Sequence, residues 1–466
     1  MIRPPLPPPA AGSRRRPSPS LLAVAACLAL GAVLALRAPA RAQAASASPD
    51  RVVVGFGSRE AVIARAAKTG GETSAHTAVV RVRRGESVAH AIARLRRRRD
   101  VLWAVPDYVA HTSGTFVPDD VGAGSTPGGW QELQWNLSGP FGIGAPEAWS
   151  NLIADGAPGG RGVTVAVLDT GVAYANRGRF QRSPDFGQFQ FVKGYDFVGH
   201  DPYPNDRNGH GTFVASVIAE ETNNHVGLTG IAYGAKIMPV RVLDTEGEGE
   251  ASTIAQGVRF AVRHGAQVIN LSLEFSPGVT ASDIPELIDA LRYAHRHNVL
   301  VVAAAGNEGH AAIAYPARAP DVMSVGATTE RGCLAAYSND GSGLTLVAPG
   351  GGPDASLPGD PNCNPEAPGR DIFQVTFTGG SVKQFGIPGG YEGTSMATPH
   401  VTAVAALVIA SRVLGHHPTP AQISARLRAT ARKLGGGGDE RLYGAGLLNA
   451  AAATAPGGPG AAAKAP

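Results

Sequence analysis

Three short stretches carry side chains able to do chemistry together. Val165-Ala-Val-Leu-Asp169-Thr-Gly171 ends an apolar run on a carboxylate, and Asn208-Gly-His210-Gly-Thr212 sets an imidazole between glycines. Gly393-Thr-Ser395-Met-Ala-Thr-Pro399-His400 sets a hydroxyl at the head of a long apolar segment. A serine hydroxyl is far too weak an acid to attack a carbonyl unaided. A histidine that removes its proton makes it a nucleophile, and an aspartate fixes the imidazole tautomer and stabilises the imidazolium that forms. Asp169, His210 and Ser395, in that chain order, point to acyl transfer through a covalent intermediate.

These side chains need a scaffold that brings distant segments together. Residues 163–168, 267–273 and 299–305 are continuous apolar runs, as strands buried on both faces require. Helix-patterned segments alternate with them at 212–221, 253–264 and 282–298, the last with Ile284, Leu287, Ile288, Leu291 and Ala294 on one face. The alternation predicts an α/β fold, a doubly wound and mostly parallel sheet, over residues 130–453. Such sheets carry their sites where strands end and helices begin, and all three stretches fall there. Pro399 is then expected in the first turn of its helix, where a missing N–H is tolerated.

The chain has 466 residues, 43% hydrophobic and 17% charged, which allows a large core and more than one domain. Its 61 glycines and 36 prolines are spread out and predict turns rather than disorder. The charge is lopsided. Residues 1–111 hold 18 Lys and Arg against 6 Asp and Glu, whereas the remainder holds 23 against 31. An acidic body repels phosphates and argues against a nucleic-acid partner.

Arg14-Arg15-Arg16, an apolar run at 21–36 and Ala42-Gln43-Ala44 follow the order of a secretory signal, so residues 1–44 are expected to direct export and be removed. The run falls short of the roughly 20 residues a membrane span wants, so the membrane enters only through an uncleaved signal anchor. Residues 45–112 read as a small α+β module, with strands at 51–56, 76–82 and 101–109 and helices at 60–68 and 87–98. A Gly/Ser/Pro-rich linker is expected at 113–129 and a flexible tail at 454–466. Cys27 lies in the signal. Cys333 and Cys363 either pair with each other or remain thiols.

Together the motifs resemble those of the subtilisin-type serine proteases (subtilases, peptidase family S8), and the likeness runs over residues 51–453. The resemblance implies a secreted, self-processed serine endopeptidase that acts on proteins and peptides as a monomer, without an organic cofactor. Asn307, in Ala303-Ala-Ala-Gly-Asn307-Glu-Gly309, matches the family's oxyanion-hole asparagine. Its amide N–H joins the Ser395 backbone N–H in absorbing charge on the carbonyl oxygen. Ser272-Leu273 match the strand that pairs with an extended substrate, and Gly247-Glu248-Gly249 match the facing segment.

The resemblance also implies a structural Ca²⁺ held by oxygen donors. These are the Asp185 carboxylate, the Asn224 amide and the carbonyls of Thr222, Val226 and Leu228, with Gln131 or Gln134 as a further ligand. Asp201 and Asp206, ahead of His210, read as a solvated acidic loop in preference to a second ion site. Residues 45–112 are similar to the subtilase propeptide, a ferredoxin-like module that assists folding and then inhibits with its tail in the cleft. Two rivals fit less well. A catalytically silent scaffold has no need of all four of Asp169, His210, Asn307 and Ser395. An esterase elbow, Gly-x-Ser-x-Gly, would require glycine where Ala397 stands.

The chain departs from the family at three places. Phe213 stands for a usual histidine and Ser216 for a usual glycine, both read as packing changes. Glu274 stands for a usual glycine at the mouth of the primary specificity pocket. Glu246, Glu248 and Glu250 alternate along the segment expected beside the substrate strand, where alternate side chains share a face. A cleft lined by one sign of charge draws the opposite one, so a preference for Lys or Arg before the scissile bond is expected.

Overall fold

The computed structural model describes residues 47–56, 76–83, 85–108, 115–435 and 439–457. The expected signal peptide, the helix expected at 60–68 and residues 458–466 of the tail lie outside these. In the basic N-terminal module, β1 (Ala47–Phe56) pairs antiparallel with β2 (His76–Arg81) and with β3 (Val101–Tyr108). Helix α1 (Val88–Arg96) starts where the Ser87 hydroxyl accepts the His90 N–H. It turns Ala91 and Leu95 into a small core with Val52, Val54 and Ala104.

The apolar run near 163–168 becomes β4 (Thr164–Asp169), buried at every position after the first. It lies within a seven-stranded sheet completed by β5 (Tyr195–Asp196), β6 (Lys236–Arg241), β7 (Val268–Leu271), β8 (Leu300–Ala304), β9 (Val322–Thr328) and β10 (Leu346–Pro349). The spatial order is β10-β9-β8-β7-β4-β6-β5 and every pairing is parallel. Helices cover both faces. Val165 and Val167 face one layer, with α3 (Ala145–Ala154), which follows the single turn α2 (Trp130–Leu133), and with α4 (His210–Ala219) and α7 (Thr394–Ser411). Ala166 and Leu168 face the other, built from α5 (Ala251–Arg263) and α6 (Pro285–Arg296). This is the expected doubly wound α/β sheet.

Helix α7 is long and apolar enough to cross a membrane, yet nearly all of it is buried in the body of the protein. A helix apolar all round belongs in such a core. Pro399 lies not in its first turn, as expected, but at the sixth residue. It leaves the Ser395 carbonyl without a helical donor, and the Ser272 hydroxyl supplies one at 2.8 Å. Cys333 and Cys363 form a disulfide.

The stretch expected as a linker behaves differently from its composition. Residues 115–129 hold no regular element, but Phe116 packs edge-on to Trp149 and Asp120 is fully buried. Trp130 Nε1 donates to the Pro118 carbonyl and the Gly122 N–H to that of Gly227. Gly, Ser and Pro signal the absence of a repeated backbone pattern, not the absence of packing.

Candidate active site

β4 delivers Asp169 at its end, wholly buried, and α4 opens on His210. His210 Nδ1 lies 2.8 Å from Asp169 Oδ1, which also accepts the Thr170 N–H at 2.8 Å. Only glycine allows this approach after His210: a Cβ on Gly211 would sit 2.2 Å from the Gly171 carbonyl oxygen and 3.0 Å from Asp169 Oδ1. Burial alone lowers the His210 pKa. The charge and hydrogen bond of Asp169, with Asp206 adding to them, more than reverse this and raise it above its ordinary 6.5.

Asp206 is a residue that sequence reasoning missed. Expected in a solvated loop, it is fully buried and receives five hydrogen bonds. Oδ1 accepts from the Thr170 hydroxyl and the N–H groups of Asn208 and Gly209; Oδ2 accepts from the Thr212 N–H and hydroxyl. It ties the His210 turn to the end of β4. An aspartate just ahead of a helix start was the available signal.

Ser395 is the second residue of α7, which packs against α4. Its hydroxyl donates to the Ser272 carbonyl at 3.3 Å rather than to His210, and such bonds often tighten only with substrate in place. Asn307 lies beside the same turn, with Oδ1 accepting the Thr394 N–H at 2.8 Å and the Thr394 hydroxyl at 3.0 Å. Ser272 and Leu273 follow β7 directly and are buried. Glu274 does not stand free at a pocket mouth. It accepts both the backbone and the side-chain N–H of Asn307. Phe213 stacks on Tyr391 at 4.1 Å between ring centres, and the Ser216 hydroxyl donates to Val375.

The acidic segment expected as strand-like is a turn. Asp244 Oδ1 accepts the N–H groups of Glu246 and Glu248, and the Asp244 N–H returns to the Glu248 carbonyl. Gly247 has φ +88°, so the segment 247–249 bends around Asp244, and the alternation argument for Glu246 and Glu248 does not hold. Glu250 is exposed at the N-cap of α5. An aspartate capping its own turn outweighs the alternating pattern.

The calcium-type loop surrounds Asp185. The Asn224 Nδ2–H and the Leu228 N–H donate to its carboxylate, and Asn224 Oδ1 accepts the Val226 N–H. The carbonyls of Thr222, Val226 and Leu228 accept no hydrogen bond among the described residues. Gln134, buried, pairs with both backbone groups of Thr229; Gln131 is exposed. Burial pushes the Asp185 pKa up to about 8. Nearby Glu220 is completely buried; among the described residues neither carboxylate oxygen accepts a well-formed hydrogen bond, although the Ser216 side chain and the Val375 backbone act on it from close by. Two buried carboxylates with free carbonyls beside them suit a hard cation. Among the described residues no three His, Cys, Asp or Glu converge, so carbonyls would carry much of the coordination.

A doubly wound sheet with an Asp–His pair at a strand end and a serine at the head of a buried helix is the arrangement of subtilisin-like proteases. Residues 160–446 match the profile of the subtilase family, peptidase S8, and the chain belongs to that family. Subtilisin BL of Lederbergia lenta is 38% identical over 324 residues, 70% of this chain and 99% of that protein. M-protease of Shouchella clausii is 38% identical and matches over 70% of each chain. A solved protease of Pseudoalteromonas arctica, 29% identical, superposes with a TM-score of 0.57 over 73% of this chain and 99% of its own. The protein is a serine endopeptidase of the subtilisin type.

Proposed function

We propose that Ser395 is the nucleophile of this endopeptidase, His210 its general base and acid, and Asp169 the group that orients and stabilises the imidazole. The 2.8 Å bond between His210 Nδ1 and Asp169 carries this reading. With Nδ1–H donated to Asp169, Nε2 keeps its lone pair for the Ser395 proton. The alkoxide attacks the peptide carbonyl, His210 hands the proton to the leaving amine, and water repeats the cycle on the acyl-enzyme. The Asn307 amide and the Ser395 backbone N–H receive the oxyanion. Substrate lies extended between Ser272-Leu273 and Gly247-Glu248-Gly249.

The finer setting belongs to the same proposal. Residues 1–44 export the chain. The module at 45–112 acts as chaperone and inhibitor until the enzyme cuts it away, and the charge contrast across residue 111 supports two separable parts. Asp185, Asn224, Thr222, Val226 and Leu228 would hold a structural Ca²⁺, which supplies positive charge to buried oxygens and no step of the reaction. Replacing the nucleophile is the decisive experiment. Ser395→Ala should lower kcat by on the order of 10⁶, the scale for removing a subtilisin serine, and leave the precursor uncut. Normal processing of that variant would remove both the nucleophile and self-maturation.

A further inference from the structure

Glu274 stands where subtilases usually carry glycine, and its carboxylate meets Asn307 twice. The Asn307 backbone N–H donates to Oε2 at 3.0 Å and Nδ2–H donates to Oε1 at 2.9 Å. From the other side, Thr394 donates its N–H and hydroxyl to Asn307 Oδ1. The amide is therefore held at both ends. Turning it over would press Oδ1 on the carboxylate and Nδ2 on the Thr394 N–H, replacing attraction by repulsion at both contacts. One Nδ2 hydrogen is committed to Glu274, and among the described residues the second has no acceptor and can donate. Gly306 makes room for the clamp: its φ is +115°, and a Cβ there would lie 2.6 Å from Glu274 Oε2.

We propose that Glu274 is a positioning residue of the oxyanion hole, holding the Asn307 amide so that its free N–H meets the developing oxyanion. The proposal rests on the assignment of Asn307 above. A donor already in place needs no reorganisation when charge develops. Thr394 precedes Ser395, so the clamp also ties the amide to the turn that carries the nucleophile. A full negative charge beside an oxyanion would oppose catalysis. Burial, reinforced by the Glu308 carboxylate, pushes the Glu274 pKa up, and the two Asn307 hydrogen bonds pull it back.

The test is a double-mutant cycle on the mature enzyme, with kcat and KM normalised by active-site titration and melting temperature as the check on folding. Asn307→Ala should lower kcat about 10²–10³-fold. Glu274→Ala should lower kcat on the order of tenfold and leave KM within about twofold, the signature of an interaction realised in the transition state. Glu274→Gln keeps one acceptor oxygen and should retain kcat within about threefold. Added to Asn307→Ala, Glu274→Ala should cost no more than about twofold, because its effect passes through the missing amide. Glu274→Gly, the residue usual in the family, serves if the alanine variant misfolds. An unchanged kcat in Glu274→Ala, or a full tenfold loss in the Asn307→Ala background, would overturn the proposal. A loss confined to the KM of Lys and Arg substrates would do so too and would make Glu274 a specificity residue. Should Asn307→Ala itself keep its kcat, the oxyanion assignment fails instead.

Discussion

Two buried carboxylates mark opposite ends of α4, and they are treated in opposite ways. Asp206, ahead of the helix, has both oxygens filled by five donors from the chain. Glu220, at its C-cap, is just as buried, and among the described residues neither of its oxygens accepts a well-formed hydrogen bond. Helix polarity deepens the contrast, because the N-terminus attracts negative charge and the C-terminus repels it. Burial raises the pKa of both: hydrogen bonds from Thr212, Gly209 and Asn208 pull Asp206 back, whereas at Glu220 the Asp185 charge adds to burial and the Val375 backbone and Ser216 side chain offset it only in part. A carboxylate satisfied by its own chain is part of the fold. One left without a well-formed hydrogen bond beside Asp185 is where the proposed cation would bind.

Four measurements bear on this contrast. Asp206→Ala should have the largest effect, about 3–5 kcal/mol of unfolding free energy, because it strands several buried donors around His210. Urea unfolding would read it, and a loss below about 1 kcal/mol would erase the distinction between the two ends. Next comes chelation. EDTA should lower the melting temperature by the equivalent of about 3 kcal/mol if calcium is present at roughly a hundredfold over its Kd, and an unmoved melt removes the metal.

Glu220→Gln sharpens the picture at the C-terminal end. In EDTA it should stabilise the protein by about 1–2 kcal/mol, since an amide is cheaper to bury than an unpaired carboxylate. In calcium it should weaken metal affinity, read as a smaller rise in melting temperature on titration. Equal calcium responses in both forms would separate Glu220 from the cation. The smallest effect lies at the helix start. As the proposed base, His210 would have to be neutral, and its pKa is raised, so kcat/KM should climb with pH through a midpoint above 6.5. Asp206→Asn removes one of the charges that raise it and should move that limb toward acid by roughly a few tenths of a pH unit.

Much of this was legible before any coordinates. Continuous apolar runs separated by helical patterns predicted the parallel sheet, because strands buried on both faces have no other composition. Three of the strands in the N-terminal module and its second helix fall where their periodicity placed them. Short motifs at strand ends and helix starts singled out Asp169, His210 and Ser395, since these residue types at those places have a chemistry of their own, and the resemblance to the subtilases singled out Asn307. The misreadings share one cause. The alternation of Glu246 and Glu248 suggested a strand, but Asp244 closes the segment into a turn through bonds that no periodicity encodes. Composition at 113–129 suggested a linker and gave no sign that Phe116 would pack on Trp149 or that Asp120 would be buried against Asn223 and Asn224.

The sequence by itself determined the elements, their order and the reactive groups, because periodicity, turn residues and side-chain chemistry are local properties. Partnerships between residues far apart in the chain were decided by tertiary structure alone. Cys333 could pair or stay free until folding brought Cys363 to it. Asp206 could be solvated until Thr170 closed over it. Glu274 could face a substrate until Asn307, held by Thr394, turned toward it. In each case the energy lies in a hydrogen bond or a covalent link whose second partner sits many residues away. Nothing in either local segment states that distance, and only the packed sheet and its helices bring it to bonding range.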